Sequence, residues 1–313
     1  MSATSTDVSR TKAWVMAARP QTLPAAIAPI VVGTGLAVHD GVFAALPALF
    51  ALLGAALIQV GTNFANDYYD AVQGADTEER EGFTRVTASG LISAPEVKRA
   101  MYLTFLVAVV VGTYLVYVGG VPILVVGVLS VLSGIAYTGG PYPLGYHGLG
   151  DVFVFVFFGF VAVVGTYYVQ AASVLSGAFP LWIPPGTLTT AAVVASLPIA
   201  AISTNILVVN NLRDRREDAR TGKRTLVVRF GSLFGRVQYV ALFALAYAVP
   251  LYLFSTPAFG LPVLLPLLSL PLAALVTRTV LQEESGDALN PALEQNGKTL
   301  ALYAVLAAVG FAL

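Results

Sequence analysis

The chain has 313 residues, 57% hydrophobic and 11% charged, with 17 basic and 17 acidic side chains, zero formal net charge and no cysteine. A soluble domain carries roughly 25% charge, so a disordered chain and a soluble α/β enzyme are excluded, as is a disulfide-stapled module. A bilayer span takes about 20 apolar residues, and this hydrophobic complement is enough for nine. The expected class is an all-α, polytopic membrane protein.

In chain order, a polar tail over 1–11 comes first. Met1 to Lys12 lacks the charged start and apolar core of a secretory leader. Apolar runs then predict spans near 21–39, 42–66, 98–118, 121–138, 151–172, 187–209, 234–254, 259–281 and 298–313. The third and fourth meet at Gly119 and Gly120, read as a turn, and His39 is read as loop. With nine spans, every basic residue falls on the N-terminal side, and so does every acidic residue except Asp40. The positive-inside rule then predicts a cytoplasmic N-terminus in the cell membrane. The charge concentrates in loops 67–99 and 210–236, the ones long enough to cap the membrane surface. No nucleic-acid partner is expected, and 1–313 reads as a single domain.

The two loops resemble each other at an offset of 148. Asn63, Asp70, Ala71 and Gly74 are matched by Asn211, Asp218, Ala219 and Gly222, and Asn66 by Asp214. This predicts a weak internal repeat. Asn63, Asn66 and Asp70 stand at i, i+3 and i+7 and share a helical face; Asn211, Asp214 and Asp218 are expected to repeat it. A glycine, Gly74 or Gly222, should end each helix. Read alone, either loop is an ordinary solvated helix end. Yet Asn and Asp are poor helix formers, and carboxylates crowded at the bilayer edge repel one another unless a cation intervenes. Mg²⁺ suits them, because it takes oxygen ligands and pairs one or two carboxylates with substrate phosphates. Asn66, Asp70, Asp76, Asp214 and Asp218 are the candidate metal ligands, with Asp70 and Asp218 central to catalysis. Arg80, Arg85, Lys223, Arg224, Asn63 and Asn211 are candidates for binding a diphosphate.

These motifs resemble the UbiA superfamily of intramembrane prenyltransferases, whose aspartate-rich patterns end the second and sixth helices. Asn66, Asp70 and Asp76 fit the first pattern, with the two aspartates six apart rather than four; Asp214 and Asp218 fit the second. ARPQTLP from Ala18, YTGGPYPLGYHGLGD from Tyr137 and NNLRDRREDARTGKRTL from Asn210 resemble the branch that prenylates 1,4-dihydroxy-2-naphthoate in menaquinone synthesis. His147 stands where that branch more often has arginine. The resemblance implies nine helices around a central cavity under a cytoplasmic cap. It also implies a Mg²⁺-dependent reaction: a polyprenyl diphosphate alkylates the naphthoate ring with loss of CO₂ and diphosphate, giving demethylmenaquinone.

On that reading Tyr137, Tyr142 and Tyr146 turn ring faces to the allylic cation, Arg19 holds the carboxylate of the aromatic substrate, and Tyr142, Tyr146 and His147 face that substrate. The tyrosines read equally as an interfacial aromatic belt, and Arg19 as a snorkelling anchor. Asp151 is expected to orient His147 or a tyrosine. Other acceptors remain open: 4-hydroxybenzoate, homogentisate, a glyceryl phosphate lipid or a tetrapyrrole. A secondary transporter is the reading from another class. It would place ionisable residues near the midplane, whereas these sit at span ends.

Overall fold

The computed structural model describes residues 8–74 and 85–313, and every regular element among them is a helix. Among the described residues seven helical stretches are long and apolar enough to cross a membrane, so this is an integral membrane protein. The sequence reading of Asp76 and Arg80 falls outside the described residues.

α1 (Arg10–Ala18) starts where the Ser9 hydroxyl accepts the Lys12 N–H. It buries Ala13 and Ala17 beside Phe64, Val97 and Met101, so the expected tail becomes helical from Arg10. Arg19 ends it at φ 51°. A 3₁₀ turn, Pro20–Thr22, leads into α2 (Leu23–His39). His39 is not loop: it closes α2, its Nδ1 lies 3.0 Å from the Phe311 carbonyl, and its ring stacks on Phe259.

α3 (Ala45–Val72) runs six residues beyond the predicted span. α4 (Ala94–Ala136) begins on Ser93, whose N–H and hydroxyl both donate to the Glu96 carboxylate. Its 43 residues would make a helix of about 65 Å, twice a bilayer core. Gly120 breaks it at φ 66°, ψ −151°. The chain doubles back there: a Cβ on Gly134 would lie 3.5 Å from the Phe105 ring, which belongs to the first half. Loop carbonyls and amides clasp the turn. Val121 N–H donates to the Pro180 carbonyl at 3.0 Å, and Phe179 N–H to the Tyr117 carbonyl at 2.8 Å.

After a 3₁₀ turn, Leu144–His147, one continuous run holds α5 (Gly150–Val154), a π-helical stretch (Phe155–Val164) and α6 (Gly165–Leu175). The π-helical stretch lies against α7 (Thr190–Arg213), where a Cβ on Gly159 would fall 2.2 Å from the Ala200 Cβ. Lipid gives no hydrophobic drive to helix pairing, so such close approach of small residues supplies the contact. α7 is largely enclosed, burying Pro198 to Asn205 without a break. α8 (Arg215–Arg220) and α9 (Leu226–Phe230) lead into α10 (Ser232–Phe254). A 3₁₀ stretch, Leu261–Ser269, and α11 (Leu270–Gln282) follow, then α12 (Gly286–Ala312). α12 begins twelve residues before the apolar run that announced it.

Candidate active site

A cavity of about 1590 Å³ opens among α2, α3, both halves of α4, the π-helical stretch, α7 and α12. Its walls are mainly apolar, and its polar end collects the ends of α3 and α7. Asn66, Asp70, Asp214 and Asp218 all line it, as do Arg85, Lys223 and Asn211. The two acidic segments, 148 residues apart, therefore share one space.

Asp70 is the point where four segments meet. It sits near the end of α3, 1% exposed. The Arg85 guanidinium lies 2.9 Å from one oxygen. The other accepts the Tyr146 hydroxyl at 2.5 Å and faces Lys223 Nζ at 3.6 Å. Lys223 also stands 4.7 Å over the Tyr146 ring. Tyr137 lines the same cavity as Asp70 and Asp218.

The second segment departs from the first in its backbone. α7 ends at Arg213, and Asp214 turns the chain before α8 carries Asp218. The three residues therefore do not lie on one straight helical face. Asp214 is held by its neighbour: Arg213 Nε and Nη2 reach its two oxygens at 2.6 and 2.8 Å. Arg213 also donates to Asn210 at 2.6 Å and to Asn290 of α12 at 2.8 Å. Both glycines behave as the sequence suggests, Gly74 at φ 67° and Gly222 at φ 85° after the helix ends.

The remaining candidates fall in different places. Asn63 lines the cavity, but its amide donates to the Ala18 carbonyl and the Thr22 hydroxyl, both at 2.9 Å. It fastens the α1–α2 corner that carries Arg19. Asn66 accepts the Thr138 hydroxyl at 2.9 Å. Tyr142 and His147 stack on each other with ring centroids 3.6 Å apart and do not line the cavity. Arg224 does not line it either; its N–H donates to the Tyr146 carbonyl. Asp151 accepts from Gln238 at 3.0 Å, not from His147 or a tyrosine.

Two residues were missed. Arg213 was counted only as a positive-inside charge. Asp67 sits one residue off the predicted face of α3, fully buried. It accepts the N–H groups of Val86 and Thr87 at 3.2 and 2.9 Å and faces Arg19 at 3.6 Å. It thereby anchors the segment that delivers Arg85. A carboxylate directly after a motif asparagine was the available signal.

Among the described residues the candidate ligands Asn66, Asp70, Asp214 and Asp218 all offer oxygen, which fits a hard divalent cation better than a soft one. Among the described residues no three acidic, His or Cys side chains converge into a ready cage. A metal here would complete its coordination with substrate phosphate and water, the usual Mg²⁺ pattern.

Known proteins place this architecture. Residues 26–293 match the UbiA prenyltransferase family. The 1,4-dihydroxy-2-naphthoate octaprenyltransferase of Escherichia coli K12 is 40% identical, over 98% of this chain and 97% of its own. The Mycobacterium tuberculosis protein of the same name is 36% identical over 94% and 95%. Among solved structures, a UbiA homologue from Aeropyrum pernix K1 superposes with a TM-score of 0.69 at 12% identity, over 90% of this chain and 96% of its own. One from Archaeoglobus fulgidus, bound to DMAPP and Mg²⁺, has a TM-score of 0.54 at 14% identity, over 95% and 99%. At such identities the structures establish the fold, and the match over most of the sequence establishes the kinship: the chain belongs to the UbiA prenyltransferase family.

Proposed function

We propose that the protein transfers a polyprenyl group from its diphosphate to 1,4-dihydroxy-2-naphthoate, releasing CO₂ and diphosphate, in menaquinone biosynthesis. The observation that carries this reading is the near-full-length identity to enzymes of that activity. The convergence of both acidic segments on one cavity supports it. Nine crossings follow if α4 counts as two and α12 as one more. Their charge bias supports a cytoplasmic N-terminus and site in the cell membrane, under a cap from the loops after α3 and α7.

Each residue then has a task. Asp70, Asp218, Asn66 and Asp214 are the residues that would hold Mg²⁺, which would neutralise the diphosphate and improve it as a leaving group. Arg85 and Lys223 turn from Asp70 to the diphosphate oxygens. Tyr137 and Tyr146 present ring faces to the allylic cation, and the apolar walls keep water from it and hold the tail. The acceptor enters beside Arg19 and Tyr146, with the Tyr142–His147 stack behind.

The test is an assay of the purified chain with a polyprenyl diphosphate, Mg²⁺ and a panel of aromatic acceptors. Prenylated naphthoquinol with CO₂ release is expected. Full activity in EDTA would remove the metal, and product from 4-hydroxybenzoate alone would move the acceptor.

A further inference from the structure

α12 carries a polar row that the reaction above does not use. Asn290, Glu294 and Lys298 stand at i, i+4 and i+8, and all three line the cavity. Asn290 accepts from Arg213, which ties the head of the row to the second acidic segment. Glu294 and Lys298 pair at 2.7 Å, with side chains 68% and 64% exposed, so neither is packed into the bundle.

The register of α12 against α2 puts Lys298 level with Ala25 in the apolar first turns of α2. A charge among apolar helices is costly to hold and marks a site when it faces a cavity.

Their neighbours identify the site. A Cβ on Gly35 would lie 2.5 Å from Ala308 Cα, and His39 reaches the Phe311 carbonyl. α2 and α12 therefore run parallel. The same register brings Lys298 beside Ala25 and Glu294 beside Gln21, and α12 touches the Pro20–Thr22 turn. The pair stands next to the Arg19 corner, where the acceptor is placed above. The other cavity cations face carboxylates of the acidic helix ends: Arg85 and Lys223 at Asp70, Arg213 at Asp214, Arg19 at Asp67.

We propose that Lys298 binds the carboxylate of the aromatic acceptor, and that Glu294 is its resident counter-ion, displaced when that carboxylate arrives. This rests on the naphthoate reading. It assigns recognition of the acid to α12 and leaves Arg19 to its partner Asp67. Glu294 keeps the ammonium compensated in the empty site and then competes with the substrate for it. The two residues therefore act in opposite directions.

The test is steady-state kinetics of the full chain in nanodiscs, with 1,4-dihydroxy-2-naphthoate varied at saturating polyprenyl diphosphate. Lys298→Met should raise the KM for the naphthoate about 10- to 100-fold, the cost of losing a charge-assisted partner. The KM for the diphosphate should hold within about twofold, as should the Ki of 1,4-dihydroxynaphthalene, which lacks the carboxylate. Lys298→Arg should recover most of the affinity. Glu294→Gln should lower the naphthoate KM by about 3- to 10-fold, because a competing charge near 4 Å is removed. A naphthoate KM unchanged in Lys298→Met, or raised in both variants as a structural pair would give, overturns the proposal and leaves the naphthoate reading standing. A wild type that turns over no naphthoate overturns both.

Discussion

Asp67→Asn removes one charge from a buried carboxylate without changing its shape. Its three partners fix the expected cost. One oxygen accepts from Thr87 N–H at 2.9 Å; the other accepts from Val86 N–H at 3.2 Å and faces Arg19 at 3.6 Å. The best orientation of the new amide turns its NH₂ toward Thr87. One buried donor then loses its acceptor, at about 1–3 kcal/mol. The charge facing Arg19 also goes. Coulomb's law at 3.6 Å and an effective dielectric of about 20 gives 4–5 kcal/mol for that pair, and breaking a buried ion pair is measured at about 3–5. Part of this returns through the amide oxygen that remains, so the net loss is about 3–5 kcal/mol, a large share of a stability of about 5–15 kcal/mol. It falls on the docking of residues 85–90 against α3, which positions Arg85 beside Asp70. Hydrogen exchange of the Val86 and Thr87 amides in detergent should accelerate by about 100-fold or more, and kcat/KM should fall at least about tenfold. Unchanged exchange with wild-type turnover would refute the anchoring role.

Asp70→Asn and Asp218→Asn should each lower kcat/KM by at least about 100-fold, since several kcal/mol of charge stabilisation depend on each carboxylate; near-wild-type rates with Mg²⁺ would remove the metal assignment. Arg213→Met should destabilise by about 3–5 kcal/mol by taking the two-pronged partner from the buried Asp214 carboxylate. Arg213→Lys should recover only part of this, because an ammonium cannot make the two-pronged contact; thermal unfolding separates the two. Gly120→Ala places a Cβ 1.8 Å from the Pro180 carbonyl oxygen at a φ, ψ region reserved for glycine. It should cost more than about 3 kcal/mol, and an unchanged melting temperature would show that the turn relaxes freely.

The sequence made the helical membrane class and the two acidic segments legible because both rest on local pattern. Apolar runs of fixed length mark spans, and glycines after polar helix faces mark their ends. Helix boundaries were less legible, since α3, α4 and α12 extend beyond the apolar runs into residues that water can solvate. Partner identity was the least legible. Asn63 belongs to the same predicted face as Asp70, yet its amide is spent on the Ala18–Thr22 corner, which depends on where α1 packs. Arg213 looked like one basic residue among many, because its role depends on Asn290, 77 residues away. The Asp151–Gln238 bond joins α5 to α10 and has no local signature.

Gly120 has a consequence far from its own turn. It lies between the two acidic segments, and each pass through the bilayer exchanges one side for the other. If α4 ran straight, the path from Asp70 to Asp218 would make an odd number of passes and leave the carboxylates on opposite leaflets. Folding back at a single left-handed residue makes the number even. One backbone angle thus decides the parity of the chain, and with it whether the two halves can build one chamber or none.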